Sequence, residues 1–154
     1  MAGAQFTVQL ADAAVQAMWR RLIEAGTNLK PLLTEIGSIL EDSTKKRFSS
    51  QESPDDVAWS PLSQVTLDRK KTGRILYESG DLFDSIRFEA GADFVQLLAG
   101  PTEYAATHQF GRADNRMFGG PLAPIPARPF LGLSEDDQAE ILDAMSDYLK
   151  RATG

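Results

Sequence analysis

The sequence predicts an α+β fold in which a small antiparallel β-sheet packs against two N-terminal helices and a C-terminal helix. Two observations lead to this class. Apolar residues recur at helical spacing near both ends of the chain, and SIRFEA and DFVQLLA alternate around GAD in the middle. With 154 residues the chain can bury one sizeable core. We therefore expect a single domain over residues 1–154, with flexible loops at about 49–60 and 112–126.

Composition narrows the class of protein. Hydrophobic residues make up 42% and charged residues 25% of the chain, as in ordinary globular proteins. No apolar run reaches the roughly 20 residues of a spanning helix, and the N-terminus lacks the pattern of a signal peptide, so we expect a cytoplasmic chain. A net charge of −6 argues against independent nucleic-acid binding, and zero cysteines exclude disulfides and thiolate chemistry.

The first third of the chain predicts two helices. ADAAVQAMWRRLIEAG has helical spacing and Gly26 placed to end it, while the preceding QFTVQL alternates like a short strand. A second helix is expected from about Asn28 to Phe48, with Pro31 tolerated in its first turn. Its apolar stripe comprises Leu29, Leu32, Leu33, Ile36, Ile39 and Leu40.

Three consecutive cations stand near the end of the second helix. Lys45, Lys46 and Arg47 point in directions about 100° apart, so they do not form one phosphate-binding face. Cations are favourable near a helix C-terminus. We interpret all three as a solvated helix end.

The next segment, SSQESPDDVAWSP, is polar and carries prolines, which predicts a connecting loop with Trp59 as its anchor. LSQVTLDRKKTGR then favours a helical turn. It leaves a basic patch that comprises Arg69, Lys70, Lys71 and Arg74. A solvated loop is the simpler interpretation of this patch, and contact with DNA the alternative.

A β-hairpin is expected at about residues 85–99. SGDLFDS offers a turn or short helix before it, and Gly91 is placed to supply a positive φ in the turn. Ile86 and Phe88 would share one face of the first strand. The register is left open by the sequence.

PTEYAATHQFG predicts a short helix, with Thr102 as N-cap and Gly111 as C-terminal stop. Tyr104 and His108 are four positions apart, which puts both rings on one helix face. Catalysis by His108 would require an orienting carboxylate and a nucleophile or metal, and none is identifiable nearby. We interpret it as a structural residue that positions Tyr104 and Phe110.

The stretch GRADNRMFGGPLAPIPARPFLGL is rich in glycine and proline yet carries large apolar residues, which favours an arm that orders against a partner. The candidate interface residues are Arg112, Met117, Phe118, Leu122, Ile125, Arg128 and Phe130. Packing of Arg128 and Phe130 within their own subunit is the alternative. SEDDQAEILDAMSDYLKR predicts a closing amphipathic helix capped by Ser134.

Sequence signatures of common chemistries are missing. The chain has no HExxH, GxxxxGK[ST], GxSxG or EF-hand pattern. The pairs Asp55/Asp56 and Asp136/Asp137 fit solvated or capping roles. We therefore expect no catalytic residue, no metal site and no cofactor.

Several motifs together carry a family resemblance. They are Arg47 with Phe48, Trp59 with Pro61 and Leu62, ILYESGDLFDSI, YAATHQFG and IPARPFLGLS, and they span roughly residues 28–150. In this order the chain resembles the tailed-bacteriophage virion morphogenesis family, also called the tail completion family, of phages with contractile tails.

The resemblance implies a non-enzymatic protein that acts late in assembly, at the neck or head-proximal end of the tail. Its copies would form a ring, expected to be a hexamer, that contacts tail tube, sheath or neck connector proteins. Genomic DNA would contact the protein only by passing through the channel of this ring. The basic patch would be a candidate lining of the channel. No membrane would be involved. The protein would lie in the virion, and in the host cytoplasm during assembly. A head-side connector or stopper is the alternative, and a small hydrolase using His108 is a third.

Overall fold

The computed structural model describes residues 4–6, 13–26, 28–69, 73–77, 80–100, 103–111 and 125–153. Within these ranges the secondary structure follows the predicted order. The elements are β1 Ala4–Phe6, α1 Ala13–Glu24, α2 Lys30–Ser50, α3 Gln64–Arg69, α4 Asp81–Ser85, β2 Arg87–Ala90, β3 Val95–Ala99, α5 Glu103–Phe110 and α6 Glu135–Thr153.

The three strands form one antiparallel sheet in the order β1-β3-β2. Helix α2 packs against β2, β3 and α6, and α1 also packs on α6. The predicted α+β class is therefore confirmed, with two N-terminal helices, the hairpin and the C-terminal helix packed together. Antiparallel pairing suits a sheet with helices on one face, because the opposite face can stay polar.

Helix boundaries follow local chemistry. Gly26 has φ +65°, which ends α1 where predicted, and Pro31 occupies the first turn of α2. Helix α2 continues to Ser50, two residues beyond the predicted end at Phe48. The left-handed Gln51 then donates its N–H to the Arg47 carbonyl and closes the helix. The expected loop at 49–60 therefore begins at residue 51. An isolated antiparallel β-bridge between Glu52 and Ala58 joins its two sides.

The hairpin register pairs Arg87 with Leu98 and Ala90 with Val95. The expected positive φ at Gly91 was wrong, because this glycine is outside the left-handed region. Its role is steric: a Cβ at Gly91 would lie 2.2 Å from Cε1 of the Phe94 ring. The missing side chain thus lets Phe94 fold back over the turn.

Gly37 has a similar steric role in the middle of α2. A Cβ there would lie 2.2 Å from Cδ2 of Phe88. Glycine in a helix interior costs about 1 kcal/mol of stability relative to alanine. At Gly37 the absence of a side chain allows strand β2 to approach the helix closely. This contact sets the distance between the helical layer and the hairpin.

Two apolar clusters make up the core. The first contains Phe48, Trp59, Leu76, Leu82, Ile86, Leu97, Ala99, Ala105, Phe130 and Leu131. The second contains Val15, Leu22, Leu32, Ile36, Ile141, Ala144, Met145 and Leu149. The first joins α2, the hairpin and α5 to the chain after Ile125, while the second joins the three long helices.

Candidate functional site

Residues 128–131 (RPFL) run between α2, α5 and the turn at 51–61, and their backbone is held on several sides. The N–H of Arg128 donates to the His108 carbonyl at 2.7 Å. The Pro129 carbonyl accepts a 2.7 Å bond from Nε1 of Trp59. We call this arrangement the RPFL clamp, and its side chains come from positions distant in sequence.

Arg47 is the most connected side chain of the clamp. Its Nη1 donates to the Phe130 carbonyl at 2.7 Å, and its Nη2 to Ser43 Oγ at 3.1 Å and to Asp137 Oδ2 at 2.6 Å. The expected solvated position was wrong for Arg47, which is buried, whereas Lys46 is exposed. Arg47 is buried because Phe130 and Asp137 lie over the end of α2 and bind its guanidinium.

Burial lowers the pKa of the Arg47 guanidinium, and the Asp137 carboxylate acts in the opposite direction. Arginine nevertheless keeps its proton in proteins, so the pair remains ionic. A buried ion pair is stable only when further hydrogen bonds satisfy both groups. The Phe130 carbonyl and the Ser43 hydroxyl provide these bonds on the arginine side.

Asp137 also belongs to the cap of α6. Its Oδ2 accepts the Ser134 N–H at 3.0 Å, and Ser134 Oγ accepts the Asp137 N–H at 3.0 Å. This reciprocal arrangement confirms the predicted cap at Ser134. One carboxylate therefore joins the start of α6 to the end of α2.

Gln109 holds the far side of the segment. Its Oε1 accepts the N–H groups of Phe130 at 3.1 Å and Leu131 at 2.9 Å, and its Nε2 donates to the Leu131 carbonyl at 3.0 Å. An amide side chain has both a donor and an acceptor, so it can bind an extended backbone as a neighbouring strand would. The side chain is buried, which makes these bonds costly to lose.

Aromatic rings pack the interior of the clamp. Phe48 meets Trp59, Phe83 and Phe130 edge to face, with ring centroids 5.7, 5.5 and 5.9 Å apart. Trp59 is buried, as the prediction of an anchor required. Phe130 is fully buried in this cluster and packs against its own chain, which is the alternative that the sequence left open.

Arg128 likewise binds within its own chain. Its Nε donates to the Ser60 carbonyl at 2.8 Å and its Nη2 to the Pro61 carbonyl at 3.0 Å, and burial lowers its pKa. The alternative of packing within the subunit therefore holds for Arg128. The carbonyls of two consecutive residues, Ser60 and Pro61, are available to the planar fork of the guanidinium, because neither residue lies in a helix or strand.

Helix α5 ends at Gly111, as predicted: the glycine has φ +74° and donates to the Thr107 carbonyl at 2.8 Å. A Cβ at Gly111 would lie 2.9 Å from both the Ile125 carbonyl and the Ala127 nitrogen. Phe110 is 64% exposed, so His108 does not hold it in the core. The backbone of His108 instead contacts Arg128, and the side chain of Tyr104, like Thr102, lies outside the described residues.

Several of the other predicted site residues lie outside the residues that the structure describes. Of the candidate interface, Arg112, Met117, Phe118 and Leu122 lie outside the described residues, and Ile125 is half-buried. Of the basic patch, Lys70 and Lys71 lie outside them, as does the Arg69 side chain. Arg74 is exposed, with its guanidinium 4.0 Å from the centroid of the Tyr77 ring.

Sequence reasoning missed Arg47, Asp137 and Gln109 as partners. Arg47 and Gln109 share one sequence signal, since each directly precedes a phenylalanine, Phe48 or Phe110, whereas Asp137 lies between two polar residues. Their polar groups are directed at backbone and at each other. Across the described residues, no group of three or more His, Asp or Glu side chains is placed to hold a metal ion. Nor does any described helix have the length and apolarity needed to cross a membrane.

The fold and the clamp define a small α+β structural module, in which buried polar side chains fix an extended segment in place. Residues 10–150 match the model of the Phage virion morphogenesis family. The chain belongs to this family, and the resemblance inferred from its motifs is confirmed.

Curated relatives agree with this assignment. The chain is 33% identical to Mu-like prophage FluMu G protein 2 of Haemophilus influenzae, over 84% of this chain and 85% of that one. It is 35% identical to the "Putative capsid assembly protein G" of Escherichia phage Mu, over 76% and 77%. It is 29% identical to tail completion protein S of Escherichia phage P2, over 78% and 83%. No solved structure matches the chain significantly.

Proposed function

We propose that this protein completes or terminates the phage tail and enables the head and tail to join, as a non-enzymatic ring around the DNA channel. The observation that carries the proposal is the similarity to tail completion protein S of phage P2, which extends over 78% of this chain. A hexameric ring is the expected assembly. Its partners would be tail tube or sheath proteins on one side and a neck connector on the other.

The clamp suits a protein whose task is to hold a shape. The arm, defined as residues 112–126, follows Gly111, and Ile125 lies beside the end of α5, since a Cβ at Gly111 would be 2.9 Å from the Ile125 carbonyl. Residues 128–131 are then fixed by Arg47, Trp59 and Gln109. A rigid base lowers the entropy lost when an arm binds a partner. In the proposed ring, the arm contacts the neighbouring subunit.

Charge also fits passage of DNA rather than tight binding. A net charge of −6 opposes independent binding to phosphates. In the proposed ring, the exposed Arg74 and its basic neighbours line the channel locally. Weak contacts of this kind would let DNA slide, whereas a strongly basic channel would retain it.

A head-side connector or stopper is the second candidate, and the name of phage Mu protein G, which refers to capsid assembly, favours it. The two roles differ in location. If the protein is purified with isolated tails, the tail-side role is supported, and its presence on isolated heads supports the head-side role.

The decisive test is electron microscopy of lysates of the encoding phage with this gene deleted and then restored in trans. Full-length tails and DNA-filled heads lying apart would support the joining role, and overlong tails would support termination. Joined, infectious particles without the gene would refute both.

Deletion of residues 112–124 tests the arm separately. Because the clamp lies outside the deletion, we expect a folded protein with an unchanged circular dichroism spectrum that no longer forms rings. A deletion variant with the oligomer size of the intact chain would show that the arm does not hold subunits together.

A further inference from the structure

An apolar groove lies between α1, α2, α6 and the hairpin. It has a volume of about 450 Å³. Its floor includes the buried residues Leu33, Ile36 and Met145, and its rim includes Gln16, Trp19 and Phe94. The groove shares no residue with the RPFL clamp.

One rim residue of the groove, Phe94, is both exposed and apolar. Phe94 is 48% exposed although it is a large aromatic residue. Its ring is held there by the hairpin turn, since the ring occupies the space that a Cβ at Gly91 would fill. An exposed aromatic ring is informative here because it borders an apolar groove, and apolar grooves rimmed by polar residues often bind partners. Among the described residues, no side chain fills the groove.

The capacity of the groove limits its occupant. An apolar cavity of about 150 Å³ holds one benzene ring, so 450 Å³ has room for roughly three side chains of that size. The arm carries three large apolar side chains, Met117, Phe118 and Leu122, within six positions. The rim also presents one charge of each sign, Arg20 and Asp93, and the arm supplies both opposite partners, Asp114 and Arg116.

The positions of arm and groove favour a second copy as the source of the arm. The arm starts at the end of α5, where Phe110 is 64% exposed, and none of the described side chains of α5 lines the groove. Donor and acceptor surfaces on different elements make a heterologous contact, which closes into a ring when the rotation between copies permits.

We infer that the apolar groove receives Met117, Phe118 and Leu122 of the arm of a second copy of this chain. The inference rests on the proposed ring and identifies the acceptor surface for the arm. A subunit would then donate its arm to one neighbour and accept the arm of the other. Burial of the Phe94 ring and the apolar floor would drive the contact.

Disulfide trapping tests this contact, because the chain has no cysteine of its own. Full-length Gln16→Cys, at the groove rim, and full-length Gly119→Cys, next to Phe118, are purified with different tags and mixed under mild oxidation. We expect the mixed disulfide dimer at a yield at least several-fold above that of a matched pair with Glu24→Cys. Glu24 is also exposed on α1 but does not line the groove.

Two results would overturn the inference. One is an internal disulfide that forms in dilute Gln16→Cys/Gly119→Cys double variant faster than the dimer, which would place the arm in the groove of its own chain. The other is a yield for Gln16→Cys equal to that for Glu24→Cys. In either case, a gene deletion that still separates heads from tails would leave the proposed function standing.

Discussion

Nη2 of Arg47 lies 2.6 Å from Oδ2 of Asp137, although 90 positions separate the two residues. This ion pair links the end of α2 to the first turn of α6, and the same guanidinium holds the Phe130 carbonyl. The base of the arm therefore depends on a contact between two helices. The RPFL clamp and the contact between α2 and α6 therefore share the side chain of Arg47.

Replacement of Arg47 by Met should lower the free energy of unfolding by about 3–5 kcal/mol, because it leaves the Asp137 carboxylate buried without its cation. Urea denaturation followed by circular dichroism measures the change. Lys46→Met is the matched control, since Lys46 is the exposed neighbour on the same helix. A loss for Arg47→Met no larger than that of the control would contradict the assigned role of the pair.

The double variant Arg47→Met/Asp137→Leu should be more stable than the sum of the two single losses predicts. Removing both charges avoids an uncompensated buried ion, and apolar replacements of buried ion pairs are often tolerated. A double-mutant cycle in urea gives the coupling energy, expected to exceed about 1 kcal/mol. Strict additivity would mean that the two residues do not interact across the interface.

Gln109→Leu should destabilise the protein by about 3 kcal/mol, because the N–H and C=O groups of residues 130 and 131 lose their buried partners. Gln109→Glu should also be destabilising, since it keeps the acceptor but loses the donor to the Leu131 carbonyl. Hydrogen exchange at Phe130 and Leu131 measures the effect directly. Unchanged protection of these amides would refute the role of the side chain.

Gly37→Ala should lower stability by roughly 1–3 kcal/mol, although alanine is the better helix former. The added methyl group would collide with the Phe88 ring, whose Cδ2 is 2.2 Å from the Cβ position. Ser38→Ala, at an exposed site on the same helix, is the control. If both variants gain stability in thermal unfolding, the contact between α2 and β2 is looser than the structure indicates.

His108→Gln should retain assembly of infectious particles, because the described contact of His108 with Arg128 is made by its backbone carbonyl. Complementation of the deleted gene with this variant measures the effect. A hydrolytic activity that is present in the natural chain and lost in the variant would reverse this interpretation in favour of an enzyme.

Local patterns allowed the sequence to predict much of the fold. Gly26 and Gly111 ended their helices where expected, and Ser134 capped α6, because these signals act within one turn of the backbone. Gly91 lies in the turn as predicted, but the predicted reason for a glycine there, a positive φ, was wrong. Its role depends on the position of the Phe94 ring, which no turn propensity specifies.

The clamp was predictable only in part. Trp59 was expected to anchor its loop, and the sequence left open whether Arg128 packs within its own chain. Arg47 was misread as solvated because its neighbours Lys45 and Lys46 form a typical charged helix end. Gln109 carried no distinguishing pattern beside the more conspicuous His108. Each of these roles requires a partner that lies at least 20 positions away.

The sequence by itself determined the fold class, the order of the elements and the family, because periodicity, caps and short motifs are properties of neighbouring residues. The tertiary structure alone decided that Arg47 is buried, that Gln109 binds the RPFL backbone and that Phe130 belongs to the core. The physical reason is that a polar side chain becomes structural only when distant elements exclude water from it and supply its hydrogen-bond partners.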